Sequence, residues 1–536
     1  MLDPVHDECG IAAIYRMDVR VDGGSQAPGA LDEERNAVRI LPDMLIDLQN
    51  RGQLSAGIAR YNEHEHKIID IFKDVGSVSD VFRLTHPDPA KFRRILDRFG
   101  GRAGIGHVRY ATCGGDDRSS AQPFEQCHPR KWKWFAFCFN GNIANYAEVR
   151  EKILEKRDYH LRHDTDTEVL KLHLSYALRG EEKPDFVKVF RHIADTMDGA
   201  YSLAFLNADG DLVLARDPNG FRPLCYATMG SLFGAASESL ALVNRGFTDI
   251  KDLEPGELLH VRPDGVRKQR FAESPKKSFC FFEYVYFANV ASTLNGRSVY
   301  LTRKRLGEAL ADGEQLKTDP RDCVAVPVPD TAKAACDGMA YRLGIPSLEG
   351  LIRNRYVGRT FIEGRNRIER ARRKYTALPE VLKDKRVFLV EDSIVRSTTL
   401  RVIIKMLREQ GGAKEVHVRV SCPPIMAPCS YGIDMSTVSE LFAPKLLGTE
   451  PREVLSAEDL KKLSDDLGTD SLRYLTLDEL KRAIGPPNNE LCLGCLTGKN
   501  PTPWGEKLYA EALRLKDTPQ AGRTYEKMVA PTPKGP

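Results

Sequence analysis

The sequence predicts two folded units of different class: an α+β layered domain in the first half and an α/β domain with a parallel sheet in the second. Three observations carry this. Short β-type runs crowd the first half without regular strand–helix alternation: GIAAIY from Gly10, FAFCFN from Phe135, YSLAFL from Tyr201 and DLVLAR from Asp211. In the second half, apolar strands at CVAVPVPD from Cys323, RVFLVEDS from Arg386 and EVHVRV from Glu415 alternate with helical stretches over 332–343 and 399–410. That alternation is the grammar of a parallel sheet, whose ligands sit at the carboxyl ends of the strands. The third observation is a polar stretch with Pro and Gly over 261–277, which reads as the boundary.

Each element has its local reason. The helix over 399–410 sets Leu400, Ile403, Ile404 and Leu407 on one face and stops at Gly411-Gly412. From about Ser439 the chain is charged and helical, with a Pro-rich tail. At 536 residues it is too long for one core. The apolar fraction of 42% and charged fraction of 29% are ordinary for a globular protein. A net charge of +4 with no basic block argues against a nucleic-acid partner. There is no apolar run long enough to span a bilayer, and MLDPVHDE at the start has no signal-peptide character, so a cytoplasmic location is expected. Most of the twelve cysteines, Cys225 and Cys323 among them, read as small buried hydrophobes.

The most informative stretch is VFLVEDSIVRSTT, from Val387 to Thr399. A strand delivers Glu391 and Asp392, and a loop of small and hydroxylated residues then enters a helix. Backbone N–H groups at such a helix start can hold a phosphate, and the two carboxylates can accept from vicinal ribose hydroxyls. The bland alternative is a strand ending in an ordinary helix cap. PVPDTAKAA from Pro327 repeats the pattern, with Asp330 and Thr331 between strand and helix. At the other end of the chain, Cys9 begins CGIAAIY. Removal of residues 1–8 would give it a free α-amine of pKa near ~8, able to act as base toward its own thiol. A buried strand cysteine is the competing reading. CLGC at Cys492 to Cys495 has metal-ligand spacing but needs two more ligands, and alone is open to zinc, iron–sulfur, redox or no chemistry.

Longer strings add a family resemblance. LQNRGQLSAGI from Leu48, GHVRYAT from Gly106, FNGNIANY from Phe139, DTDTEVL from Asp164, DGAYSLAFL from Asp198 and RDPNGFRPL from Arg216 resemble, in order, class II glutamine amidotransferases of the Ntn-hydrolase (αββα) fold. The Val387–Thr399 string resembles the ribose-phosphate loop of type I phosphoribosyltransferases, and GLIRNRYVGRTFIEG from Gly350 is similar to a stretch specific to the amidophosphoribosyltransferase family. The resemblance runs from about residue 8 to 505 and implies a propeptide over 1–8, a glutaminase domain over 9–265, a phosphoribosyltransferase domain over 275–480 and a cluster-binding segment and tail over 481–536.

It also implies roles. Cys9 attacks the glutamine amide, and Asn140 with the N–H of Gly141 stabilises the oxyanion, a placement worth about 3–4 kcal/mol of barrier. Arg109 meets the substrate carboxylate and Asp166 its ammonium. Phosphoribosyl diphosphate is held by Asp330, Thr331, Glu391, Asp392, Ser393, Arg396, Ser397, Thr398 and Thr399, with Mg2+ at Thr331, Glu391 and Asp392. Tyr356, Arg359 and Ile362 serve a closing loop and ammonia channel. SFCFFEYVYFA around Cys280 and PPIMAPCSYGID around Cys429 resemble the remaining ligand sites of an iron–sulfur branch, so Cys280, Cys429, Cys492 and Cys495 are expected to hold a [4Fe–4S] cluster. Feedback by purine nucleotides and a homotetramer are further implications.

The chain departs from the family pattern at Glu391 and Ser397, usually Asp and Gly, at Asn289-Val290-Ala291, in a shorter text after Ile362, and in an insertion over 16–35. These departures leave a second reading, a paralogue delivering ammonia to a different acceptor, and a third, a non-catalytic assembly protein.

Overall fold

The computed structural model describes residues 9–19, 36–110, 118–163, 165–354, 374–433, 435, 437–452, 454–485 and 489–516. Two antiparallel sheets face each other in the first domain. One has seven strands, in the order Lys251–Asp252, Cys225–Met229, Leu232–Ala236, Gly10–Arg16, Ala103–Arg109, Ser55–Tyr61, Ile69–Val75. The other has six, in the order Gly265–Arg270, Glu257–Arg262, Leu212–Arg216, Gly199–Asn207, Phe135–Ile143, Phe124–Gln126.

The period-2 geometry of a strand decides which residue enters which layer. On Gly10–Arg16, Ile11, Ala13 and Tyr15 enter the core between the sheets, while Ala12 and Ile14 face helix Leu41–Asp47. On Phe135–Ile143 the small Ala136 and Cys138 lie between the sheets. Phe135, Phe137 and Phe139 point outward to helices Tyr146–Leu154, Asp166–Ala177 and Phe186–Thr196. The result is helix, sheet, sheet, helix, with strands buried on both faces.

In the second domain the strands Cys323–Pro327, Arg386–Glu391, Glu415–Val420 and Ser471–Tyr474 form one parallel sheet in that order. Helices Lys333–Leu343 and Thr398–Glu409 follow its first two strands, within a residue of the expected bounds. Helices Val299–Asp312 and Lys333–Leu343 pack so closely that a Cβ at Gly307 would sit 1.8 Å from the Ala335 carbonyl oxygen.

Three boundaries need correction. The first domain does not stop at 265, because Gly265–Arg270 pairs with Glu257–Arg262 as the edge of the six-stranded sheet. The charged, Gly-containing text there is the exposed face of a hairpin. The break between 480 and 481 falls inside helix Leu477–Ile484, which packs into the second domain's core through Leu480, Ala483 and Ile484. Ser471–Tyr474, expected within a helical section, is the fourth parallel strand.

The C-terminal helix Pro503–Arg514 returns to the first domain. Trp504 N–H donates to Asp198 Oδ2 at 3.0 Å, and Leu508 packs on Ala144. Its cap residue Thr502 meets Tyr431 Oη at 3.0 Å, and Tyr431 stacks on Phe221 at 4.2 Å between ring centres. Among the described residues no helix is long and apolar enough to cross a membrane. Because the Val299–Asp312 and Lys333–Leu343 backbones are in direct contact at Gly307, Gly307→Ala is expected to lower the unfolding free energy by about 1–3 kcal/mol, read as a lower urea midpoint.

Candidate active site

Cys9 lies at the head of strand Gly10–Arg16, the centre of the seven-stranded sheet, and is buried. Its Sγ approaches the Tyr110 carbonyl at 3.5 Å, just past the end of strand Ala103–Arg109. Burial pushes the thiol's pKa up, opposed by that hydrogen bond and by the charge of Arg109. Asp166 raises it further and Arg51 lowers it, so Arg109, Asp166 and Arg51 all act on this sulfur. Arg109 closes its strand beside Gly52, where a Cβ would fall 2.5 Å from the Arg109 carbonyl carbon. Asp166 begins helix Asp166–Ala177 and accepts from Thr167 N–H at 2.7 Å.

Asn140 and Gly141 come from the facing sheet. Asn140 Nδ2 points to Ser237 Oγ at 3.4 Å, and that oxygen also accepts from Ile11 N–H at 3.0 Å. Ser237 therefore ties the two sheets at the head of the nucleophile strand. Gly141 cannot be another residue without displacement, since a Cβ would lie 1.9 Å from the Ala200 oxygen. Beneath them, His107 and Gln122 both donate to the Phe139 carbonyl, at 3.2 and 3.1 Å, and Gln122 Oε1 accepts Phe139 N–H at 2.6 Å. Burial drags the His107 pKa down to about 3, against the effect of its bond to Phe139, so the ring is neutral and Nε2 carries the proton.

The second constellation sits at the carboxyl edge of the parallel sheet. Asp392 directly follows strand Arg386–Glu391; its Oδ2 accepts from Thr331 Oγ1 and its Oδ1 from Ser393 Oγ at 2.6 Å. The loops after two adjacent strands are thus clasped together at the acid pair. Burial and mutual repulsion push the Glu391 carboxyl up; burial pushes Asp392 up against hydrogen bonds from Ser393 and Thr331 and the charge of Arg303. Ser397 caps helix Thr398–Glu409 without a side-chain bond, and the first turn holds no acid, so that helix start is open to an anion. Arg396 pairs with Glu440 at 2.5 Å, and Asp330 turns outward to Arg353 at 2.8 Å. Tyr356, Arg359 and Ile362 lie outside the described residues, as do residues 1–8.

The four singled-out cysteines come together. Cys280, Cys429, Cys492 and Cys495 line one cavity with Phe221, Arg222 and Tyr431. The short parallel pair Phe279–Cys280 and Leu491–Cys492 sets Cys280 beside Cys492. Burial pushes the Cys492 thiol up to about 12 and raises the Cys495 thiol well above its ordinary range, with neighbouring sulfurs adding to both. Among the described residues no three His, Cys, Asp or Glu side chains are close enough to share a single metal ion. A cluster in which each thiolate holds a different iron sets its ligands wider apart than one ion does.

Sequence reasoning missed Arg51, Ser237, Glu238 and Glu283, although Arg51 and Glu283 lie within quoted strings. Arg51 Nε donates to the Cys9 carbonyl at 3.1 Å and its other nitrogens reach Glu238 and Glu283. What could have flagged them is charge inside apolar text, as in FFEYVYF.

The fold comes with a class: residues 107–244 match the glutamine amidotransferase domain family. Full-length relatives extend this. The amidophosphoribosyltransferase of Methanothermobacter thermautotrophicus is 38% identical over 93% of this chain and 95% of its own length, and that of Bacillus subtilis 35% over 93% and 95%. The solved B. subtilis glutamine phosphoribosylpyrophosphate amidotransferase, complexed with ADP and GMP, superposes with a TM-score of 0.76 at 33% identity, covering 92% of this chain and 97% of that one. A second solved structure, the allosteric regulatory enzyme of purine biosynthesis, gives 0.77 at 33% identity, covering 92% and 96%. The chain belongs to the amidophosphoribosyltransferase family.

A pH dependence follows from His107. Its folded pKa lies below the ordinary 6.5, so the unfolded chain takes up a proton first as pH falls, and stability is lost from about 6.5 down toward 3. Between about pH 7 and pH 5 this amounts to about 2 kcal/mol. His107→Gln is expected to shrink the difference between urea midpoints at those two pH values.

Proposed function

We propose that this chain converts glutamine and phosphoribosyl diphosphate to 5-phosphoribosylamine, glutamate and diphosphate, the committing step of purine synthesis, through two sites in one polypeptide. The observation that carries the two-site reading is the pairing of Cys9, acted on by Arg109 and Asp166, with an acid pair clasped by two loops at the carboxyl edge of a parallel sheet.

In this reading the Cys9 thiol adds to the glutamine amide carbon, and its proton passes through the α-amine freed by loss of residues 1–8 to the departing ammonia. Asn140 Nδ2 and the Gly141 N–H receive the charge that develops on the amide oxygen. Arg109 holds the substrate carboxylate and Asp166 its ammonium. Water then releases glutamate from the thioester. Ammonia attacks C1 of the phosphoribosyl group as diphosphate leaves, reached through a channel that Tyr356, Arg359 and Ile362 help close.

Glu391 and Asp392 accept from the ribose hydroxyls, and residues from Ser393 to Thr399 (Arg396, Ser397 and Thr398 among them) cradle the 5-phosphate on the open helix start. Asp330 and Thr331 belong to the diphosphate loop. Two carboxyls whose protons are held by burial and repulsion suit a divalent cation. Mg2+ near Thr331, Glu391 and Asp392 would neutralise the leaving diphosphate.

Four thiols and, among the described residues, no carboxylate around one cavity suit soft iron, and we assign Cys280, Cys429, Cys492 and Cys495 to a [4Fe–4S] cluster that ties the C-terminal segment to both domains. All eleven described cysteines are free thiols, which suits a reducing cytoplasm. The ADP and GMP held by the B. subtilis enzyme support purine nucleotides as regulators; a homotetramer is part of the same proposal.

The test is an oxygen-free preparation assayed for glutamate and diphosphate release, with iron and intact mass read on the same sample. Coupled release that depends on phosphoribosyl diphosphate and Mg2+, a chain starting at Cys9 and about four irons per chain are expected. Cys9→Ser should abolish glutamine use but keep amination by added ammonia, and Cys495→Ser should lower bound iron. Glutaminase activity with no response to phosphoribosyl diphosphate would shift the reading to a different acceptor.

A further inference from the structure

Five charged side chains are shut away from water between the two sites. Arg51 and Glu238 have no exposed surface, Arg222 is 1% exposed, Glu283 2% and Arg303 3%. Arg51 stands at the centre. Its Nε donates to the Cys9 carbonyl at 3.1 Å. Its Nη1 reaches Glu238 Oε1 at 2.7 Å and Glu283 Oε2 at 3.1 Å, and its Nη2 reaches Glu283 Oε1 at 2.6 Å. Burial alone would lower the Arg51 pKa, but Glu283 and then Glu238 outweigh it and push it up, so the guanidinium stays charged.

The two acids come from different domains. Glu238 follows a strand of the first domain and also accepts from Asn289 N–H and Ser292 Oγ, each at 2.7 Å. Glu283 is three residues beyond Cys280, at the start of a π-helical turn, Glu283–Phe287, where the chain enters the second domain. That turn is stiffened from the second domain: Arg303 donates to the carbonyls of Tyr284, Tyr286 and Ala288 at 2.9, 2.9 and 2.8 Å.

We infer that Glu283 is a positioning residue for glutamine hydrolysis: its fork onto Arg51 fixes the backbone of Cys9, so the first site is complete only when the second domain's first turn is seated. The inference rests on Cys9 being the nucleophile. If the α-amine of Cys9 moves protons, its carbonyl is the backbone handle left to hold the residue still, and Arg51 holds it. Replacing an ion pair buried this deeply by apolar packing of the same volume is often neutral for stability, so its presence at the nucleophile points to placement. Small misplacement of a reacting group is enough to cost rate about a hundredfold.

Glu283→Gln keeps the shape but turns one acceptor into a donor facing Arg51. The full-length holoprotein carrying E283Q is compared with the parent on three readouts. They are kcat and KM for glutamate release, the rate at which a glutamine-like chloroketone alkylates Cys9, and amination of phosphoribosyl diphosphate by added ammonia. Expected is a loss of about tenfold or more in glutaminase kcat and in alkylation rate, with ammonia-dependent amination within about twofold and partial recovery in Glu283→Asp. Glutaminase and alkylation within about twofold of the parent, or all three activities falling together, would overturn the inference. If E283Q does not fold, Arg51→Lys carries the test: it keeps the charge but loses the fork, and unchanged alkylation of Cys9 there overturns the inference equally. A Cys9→Ser control that still hydrolyses glutamine sinks the underlying reading instead.

Discussion

Strands buried on both faces press charged chemistry toward their ends, and this constraint shapes both halves of the molecule. Strand Gly10–Arg16 has sheet neighbours on either edge, a facing sheet on one side and a helix layer on the other. Cys9, at its head, is the first position from which a side chain can meet anything but hydrocarbon. The second domain obeys the same rule at the opposite strand end. Val387 to Val390 of strand Arg386–Glu391 are apolar and buried, and the acids appear where the sheet stops. A parallel sheet puts all its carboxyl ends on one edge, so the Asp330-Thr331 loop and the Asp392–Ser397 loop become neighbours without any local sequence signal.

That constraint explains what could be read from the sequence. Period-2 and period-3.6 patterns give burial directly, so the strands at Gly10, Phe135, Cys323, Arg386 and Glu415 and the helix after Ser397 were legible to within a residue or two. Edges were not. Gly265–Arg270 pairs through its backbone while its side chains face water, and its polar text reads like a linker. Ser471–Tyr474 is only four residues long and lies between two helices, too short to show a period. Residue roles divided similarly. Cys9, Asn140 and the acid pair sit in long distinctive strings. Ser237 and Glu283 act across more than two hundred positions; Glu283 stands out only as a charge in apolar text, and nothing local gives its partner.

The cysteine cavity shows the complementary case, in which sequence spacing named the groups and the topology explains why they meet. Cys280 is set beside Cys492 by a two-residue parallel pair. Cys429 lies just before Tyr431, whose ring stacks on Phe221 of the first domain and whose hydroxyl meets the cap of the C-terminal helix. Arg222, next to Phe221, lines the cavity and stands 3.7 Å from Glu283. The cavity therefore lies where first domain, second domain and C-terminal segment converge, and filling it would fasten all three at one point.

The two buried acid groups differ in how their charge is balanced, and that difference separates scaffold from site. Glu238 and Glu283 are answered by Arg51; a backbone N–H and a hydroxyl also donate to Glu238, and Arg222 stands 3.7 Å from Glu283. Protein groups already meet their oxygens, so a ligand would gain little there. Glu391 and Asp392 have no guanidinium within bonding reach among the described residues; Arg303 acts on Asp392 only through space while its own donors are committed to carbonyls. Their carboxyls are pushed up because, among the described residues, burial and repulsion outweigh the through-space pull of Lys374 on Glu391 and of Arg303 on Asp392. An acid pair left in that state is stabilised by whatever brings positive charge or hydroxyl donors to it, and a sugar diphosphate carrying a divalent ion brings both.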